Sequence, residues 1–267
     1  MLKDITIGQY YPTGSAIHKL DPRVKLFGTI LYIVTLFIAR NPVVYILAAA
    51  FLFTCIGIAK VPLKYILRGL KTIMIILAFS LIFNIFFTEG RVLVQFWKIK
   101  ITYEGIIQAI YMGIRLILLI IGSSLMTLTT TPNDLTDGME KGLRFLTVIK
   151  IPVHEIAMMM SIALRFIPIL MEETDKIMKA QTARGASFDE GNFFKRIKAL
   201  IPILVPLFIS AIRRAYDLAT AMEARCYHGG DNRTQMKPLS YKKRDHAAYG
   251  VMVAYLAVAV GFRVAGL

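Results

Sequence analysis

Residues 106–128 read IIQAIYMGIRLILLIIGSSLMTL, with a single charge, Arg115, inside the run. A helix needs roughly 17 to 25 predominantly apolar residues to cross hydrocarbon, and this stretch meets that length. Working outward, four further apolar runs occupy 26–39, 43–59, 72–88 and 247–264, the first of them short. Asn41-Pro42 after Arg40 reads as a tight hairpin between the first two runs, because Pro cannot continue a helix from the preceding turn. No cleavable leader precedes them, since residues 1–22 are polar and rich in turn residues. The whole chain is 56% hydrophobic and 18% charged, with a mean hydropathy of +0.59. A soluble domain of this size cannot bury that much apolar surface. The expected fold is therefore an all-α polytopic membrane protein with about five spans.

The net charge of +15 raises nucleic acid as a partner, and the distribution of the basic residues argues against it. Lys3, Lys19, Arg23 and Lys25 precede the first span, and Lys60, Lys64, Arg68 and Lys71 lie between the second and third. Arg40 stands alone between the first and second, and Arg91, Lys98 and Lys100 lie between the third and fourth. Residues 129–246 hold 18 basic and 13 acidic side chains. The alternation follows the positive-inside rule and places the N-terminus and residues 129–246 on the cytoplasmic side of the cell membrane, with the C-terminus outside. Cys55 and Cys226 fall in different environments, so no disulfide is expected. His18, His154, His228 and His246 are scattered singly, which leaves no metal-ligand spacing.

Three parts follow: residues 1–128 with four spans, a cytoplasmic coupling segment at 129–246, and the last span at 247–267. The coupling segment opens on Thr131-Pro132-Asn133-Asp134, a helix-start signal. It then carries an internal repeat. IPIL at 167–170 recurs at 201–204, and AQTARG at 180–185 recurs as AMEARC at 221–226. The spacing between the two motifs differs by seven residues, two helical turns, so the second arginine keeps its rotational phase to within about 20° and the second helix is expected to be longer by about 10 Å. Two long amphipathic helices are expected, each ending on an arginine flanked by small residues: Ala183, Arg184 and Gly185 in the first, Ala224, Arg225 and Cys226 in the second. Gly185 and the Gly229-Gly230 pair read as their breakers. An uncovered arginine at a helix end can make bidentate contacts with a carboxylate or with carbonyls of a partner.

Catalytic signatures fail. There is no phosphate-binding G-x-x-x-x-G-K-[ST] loop, so any ATP is hydrolysed elsewhere. His154-Glu155 starts a zinc-protease motif, but Met158 stands where its second histidine would be. A conventional ABC permease would face more polar residues into its spans than Asn84, Arg115 and Ser123-Ser124, and a lipid-modifying enzyme would need an acidic metal-binding cluster that Asp134 and Asp137 do not make.

Gly8-x-Tyr10-x-Pro12, Ser15, His18 and Leu20-Asp21-Pro22-Arg23-x-Lys25 resemble the N-terminal signature of the transmembrane T component of energy-coupling factor transporters, and Ala-Arg-Gly and Ala-Arg-Cys are similar to that family's paired X-Arg-X coupling motifs. The resemblance covers the whole chain. It implies a non-catalytic coupling subunit that binds no cofactor itself. It would join two cytoplasmic ABC-type ATPases, which use ATP and Mg, to a membrane protein that binds a vitamin or metal ion. Each X-Arg-X motif would enter a groove on one ATPase. Met158, Met159 and Met160 would offer an adaptable platform for the substrate-binding subunit, or for several interchangeable ones. His18, Asp21, Pro22 and Arg23 belong to the signature, which is expected to be a structured start to the first span, with Asp21 as cap, Pro22 in the first turn, and Arg23 and Lys25 among the lipid headgroups.

Overall fold

A computed structural model describes residues 10–39, 41–96, 99–186, 188, 193–229, 236 and 238–264; Lys3, Gly8, Arg40, Lys98 and Gly230 lie outside them. Eight helices dominate: α1 Pro22–Ile38, α2 Pro42–Ala59, α3 Leu63–Phe87, α4 Tyr103–Thr129, α5 Pro132–Gly142, α6 Val153–Ala183, α7 Phe193–Ala224 and α8 Lys243–Val264. A short antiparallel hairpin, β1 Val92–Phe96 with β2 Ile99–Thr102, links α3 to α4, and a 3₁₀ turn, Arg144–Ile149, follows α5. The chain is thus an essentially helical polytopic protein carrying one β-hairpin that the periodicity did not signal.

Among the described residues four helices are long and apolar enough to cross a bilayer: α2, α4, α6 and α8. The bent α3, whose halves Leu63–Lys71 and Ile73–Phe87 meet at 58°, makes a fifth when taken as one span. Two details differ from the sequence reading. At 17 residues, α1 stands at the lower limit of the spanning range and covers about 25 Å at 1.5 Å per residue, less than a hydrocarbon layer of about 30 Å, and it is not among the helices that qualify. Conversely α6, read as cytoplasmic, is apolar enough in its first half to qualify.

The chain divides into two compact units, Gly8–Met139 with Leu239–Leu267, and Glu140–Pro238. These boundaries fall inside the sequence-derived ones because Thr136 and Gly138 of α5 are buried; a Cβ at Gly138 would lie 2.8 Å from the Cβ of Pro22.

In the first unit Leu31, Tyr32 and Leu36 of α1 pack with Val44, Ala48, Leu52 and Ile56 of α2, Ile66 of α3, Leu118, Ile121 and Leu125 of α4, and Tyr255 and Ala259 of α8. Close approach is required where α4 meets α1, since a Cβ at Gly122 would sit 2.7 Å from the Tyr32 ring. The faces turned away from this core stay apolar: Phe37, Ile46, Ile75, Phe79 and Phe87 are all exposed. Helices apolar all round are solvated by lipid, and such a multi-pass membrane unit gains nothing by hiding those side chains.

In the second unit α6 and α7 pair antiparallel. Tyr227 Oη, just past α7, donates to Met158 Sδ at 3.0 Å. Near the middle, Ser210 Oγ donates to Glu173 Oε1 at 3.0 Å and Arg214 forms an ion pair with Glu173. At the other end Gln181 Nε2 donates to Pro202 O at 3.4 Å. That last bond has a local cause. Pro206 has no N–H to offer the carbonyl four residues earlier, so Pro202 O is left open and a side chain from α6 fills it. The two helices have 31 and 32 residues. The extra reach from IPIL to the second arginine does not lengthen α7, because Pro168 sits near the middle of α6 and Pro202 in the first third of α7.

Candidate functional site

The two arginines occupy equivalent backbone positions. Arg184 caps α6; Gly185 follows with φ +89°, Gly185 N donates to Thr182 O at 2.9 Å and Ala186 N to Gln181 O at 3.0 Å. After α7, Cys226 takes φ +56°, Cys226 N donates to Glu223 O at 2.9 Å and Tyr227 N to Met222 O at 3.0 Å. Both helices therefore end in the same Schellman turn, whose residue after the cap must enter the left-handed region. Gly185 does so freely. Cys226 does so against its Cβ, and it, rather than Gly229-Gly230, stops α7.

Ala183, Arg184, Gly185, Ala224, Arg225 and Cys226 are all exposed. Neither guanidinium has a hydrogen-bond or ion-pair partner among the described residues. Because the helices are antiparallel, the arginines stand at opposite ends of the pair. The Met158–Tyr227 and Glu173–Ser210 contacts put Arg225 level with about residue 160 of α6, which separates the two tips by about 37 Å at 1.5 Å per residue.

Met159 and Met160 are exposed, whereas Met158 is half-buried and taken by Tyr227. A larger apolar surface lies on α7, where Ile197, Ile201, Leu204, Val205, Phe208 and Ile212 are exposed. Their three-to-four-residue spacing makes one stripe, a pattern present in the sequence but overshadowed there by the methionine run. His154, the failed metalloprotease position, instead bonds Glu140 through Nδ1 at 2.8 Å.

The N-terminal signature is structural glue within its own unit. His18 Nε2 donates to Tyr11 O at 2.9 Å, which leaves Nδ1 to accept from Ser15 Oγ at 2.8 Å. Burial, with the Lys25 ammonium second among the lowering causes, pushes the imidazole below its usual pKa even though the Tyr11 carbonyl favours the charged form. Asp21 caps α1, accepting from Arg23 N at 3.0 Å and from Arg23 Nε and Nη2 at 3.0 and 2.9 Å. Arg23 then lies 3.9 Å over the Tyr241 ring. Lys25 is 8% exposed and its ammonium donates to His18 O at 3.1 Å and Thr129 O at 2.8 Å. Neither cation is left free for lipid headgroups, contrary to the sequence reading, because helix ends supply carbonyls and a carboxylate at shorter range. Asp245, which no motif marks, is 1% exposed and accepts from Asp21 N at 2.9 Å and Lys242 N at 2.8 Å. It ties the start of α8 to the start of α1.

A family model described as "Cobalt transport protein" matches residues 13–236. The chain is 56% identical over 250 residues to an "Energy-coupling factor transporter transmembrane protein EcfT" of Clostridium kluyveri, covering 93% of each chain. It is 51% identical to the protein of that name from Thermosediminibacter oceani, over 96% of this chain and 97% of the relative. With the Bacillus subtilis protein of the same name it shares 45% identity over 97% and 98% of the two chains. On the match over residues 13–236 and these near-full-length identities, the chain belongs to the family of energy-coupling factor transporter transmembrane components.

Proposed function

We propose that this transporter subunit is the mechanical link between two cytoplasmic ABC-type ATPases and a separate membrane subunit that binds the cargo, a vitamin or metal ion. The carrying observation is the pair of exposed, unpartnered arginines on identical caps about 37 Å apart along an antiparallel helix pair. One tip would enter each ATPase. An anchor at either end of a rigid rod is the arrangement that converts relative movement of two ATPases into tilting of what lies between them. ATP and Mg stay with those partners. The first unit would hold the subunit in the cell membrane with its N-terminus and the α6–α7 pair cytoplasmic, and the exposed stripe of α7 with Met159 and Met160 would receive the cargo-binding subunit, or several in turn.

Polar groups in the apolar helices support a linking rather than a cargo-conducting role. Asn84 Nδ2 donates to Ser80 O and Ser123 Oγ to Ile120 O, each within its own helix. The test is copurification and uptake in reconstituted vesicles. Arg184→Ala with Arg225→Ala should abolish ATPase copurification while the chain still inserts and unfolds at the same temperature. Full uptake and both ATPases retained by the double variant would reject the assignment.

A further inference from the structure

Arg115 is the one charge deep in the apolar part of α4, and its surroundings are specific. Its Nε donates to Tyr45 Oη at 3.0 Å, and its Nη2 donates to the same oxygen at 2.7 Å and to Ala39 O at 3.2 Å. Tyr45 Oη in turn donates to Ala39 O at 3.3 Å, and the Phe37 and Tyr45 rings lie 5.9 Å from the guanidinium carbon. Every acceptor is neutral. No carboxylate lies within ion-pair range among the described residues, and the two N–H groups on Nη1 have no protein acceptor among them.

The guanidinium borders a cavity of about 410 Å³ above the α1–α2 corner, walled by Tyr103, Gln108 and Tyr111 on α4. Glu104 also lines it, but its carboxylate accepts from Arg91 N at 2.6 Å on the hairpin side and starts about 16 Å further along the helix. The depth follows from helix rise. Lys25 and Thr129 meet at one end of this bundle, and Arg115 lies 14 residues before Thr129, about 21 Å along the axis. Helical side chains lean toward the N-terminus, so the guanidinium reaches toward the far boundary of a hydrocarbon layer about 30 Å thick. The shortness of α1 opens the cavity at that level, and tyrosines on its walls suit a membrane–water interface.

A part-buried guanidinium whose protein acceptors are all neutral leaves its positive charge uncompensated at the cavity, and an anion would offset it. A phospholipid phosphate carries paired oxygens matching an arginine N–H pair, and its acyl chains would lie along the apolar outer faces of α2 and α4. We propose that this cavity binds the phosphate of an anionic phospholipid of the outer leaflet through the Nη1 edge of Arg115. The leaflet rests on the membrane orientation proposed above.

Native mass spectrometry of the delipidated full-length chain, with phosphatidylglycerol, phosphatidylcholine or inorganic phosphate added back, tests this. The wild type should retain phosphatidylglycerol at least about tenfold better than phosphatidylcholine, and Arg115→Gln should lose that preference. Gln108→Glu, which keeps Arg115 and places a fixed carboxylate on the cavity wall, should lose it too and covers the case in which Arg115→Gln fails to fold. Undiminished retention in Gln108→Glu overturns the site. Displacement of the lipid by millimolar inorganic phosphate would assign the site to a free anion and overturn the lipid reading. Labelling of Gln108→Cys by a membrane-impermeant maleimide in intact cells, in a Cys55→Ser, Cys226→Ser background, reads the orientation separately.

Discussion

The two ends of this molecule's polar chemistry are treated in opposite ways. Around Asp21, Lys25 and Asp245 the charges are buried and their bonds are closed within the unit: carboxylate to backbone N–H, ammonium to carbonyl, arginine to carboxylate and ring. At Arg184 and Arg225 the charges are exposed and unspent. A buried polar group must be satisfied where it stands or it costs stability, whereas an exposed one left without a partner costs little and remains available. Similar residue types thus make a lock in one unit and leave open donors in the other.

Breaking the lock should produce the largest effect. Asp245→Ala would orphan the buried Asp21 N–H and the N–H of Lys242, the residue before α8, at a cost of about 3 kcal/mol, read as a lower unfolding temperature in detergent. Asp21→Ala removes a cap and a near-bidentate arginine contact, and should cost about 2 kcal/mol by the same measurement. An unchanged melting temperature for both would dissolve the contrast. At the open end the signs reverse. Arg184→Ala or Arg225→Ala alone should leave the melting temperature unchanged while weakening ATPase docking by about 1.5 to 3 kcal/mol each, measured by titrating the ATPases onto the reconstituted subunit. A matching loss of fold stability would show that these arginines serve the helix pair itself.

Cys226→Gly sharpens the comparison from the other side. It relieves the left-handed strain after α7 without touching Arg225, so stability should rise by about 1 kcal/mol; Gly185→Ala, the converse change after α6, should lower it by about as much. The smallest effect concerns pH. The folded state lowers the His18 pKa, so the unfolded chain takes up a proton first as pH falls through about 6.5. Stability from this residue is therefore complete above that pH and is lost progressively below it, toward the folded value. His18→Gln should flatten the acid side of a melting-temperature-against-pH curve, and an unchanged curve would remove His18 from the lock.

Several elements were legible before any coordinates. Apolar run length and basic-residue alternation locate α2, α3, α4 and α8, since hydrocarbon imposes a length on whatever crosses it. The repeat of IPIL and A-x-x-A-R locates α6, α7 and their tips. The Schellman turn at Cys226 is implicit there as well, because the repeat aligns Cys226 with Gly185, the residue type that enters a left-handed position freely. The β-hairpin was hidden by its length of a few residues per strand.

By itself, then, the sequence determined where the long helices lie, that α2, α3, α4 and α8 are apolar enough for a membrane, and where the two arginines end their helices, because periodicity, length and capping are local properties; it misjudged α1 and the first half of α6. Tertiary structure decided what each charge is for. That Lys25 donates to the carbonyl of Thr129, that Asp245 joins the two ends of the chain's membrane unit, and that Arg184 and Arg225 stand at opposite ends of their helix pair rather than together all depend on partners more than a hundred residues away or on the direction in which two helices pair. A side chain's bonding is fixed by what the fold brings within 3 Å of it, and no spacing in one dimension states that.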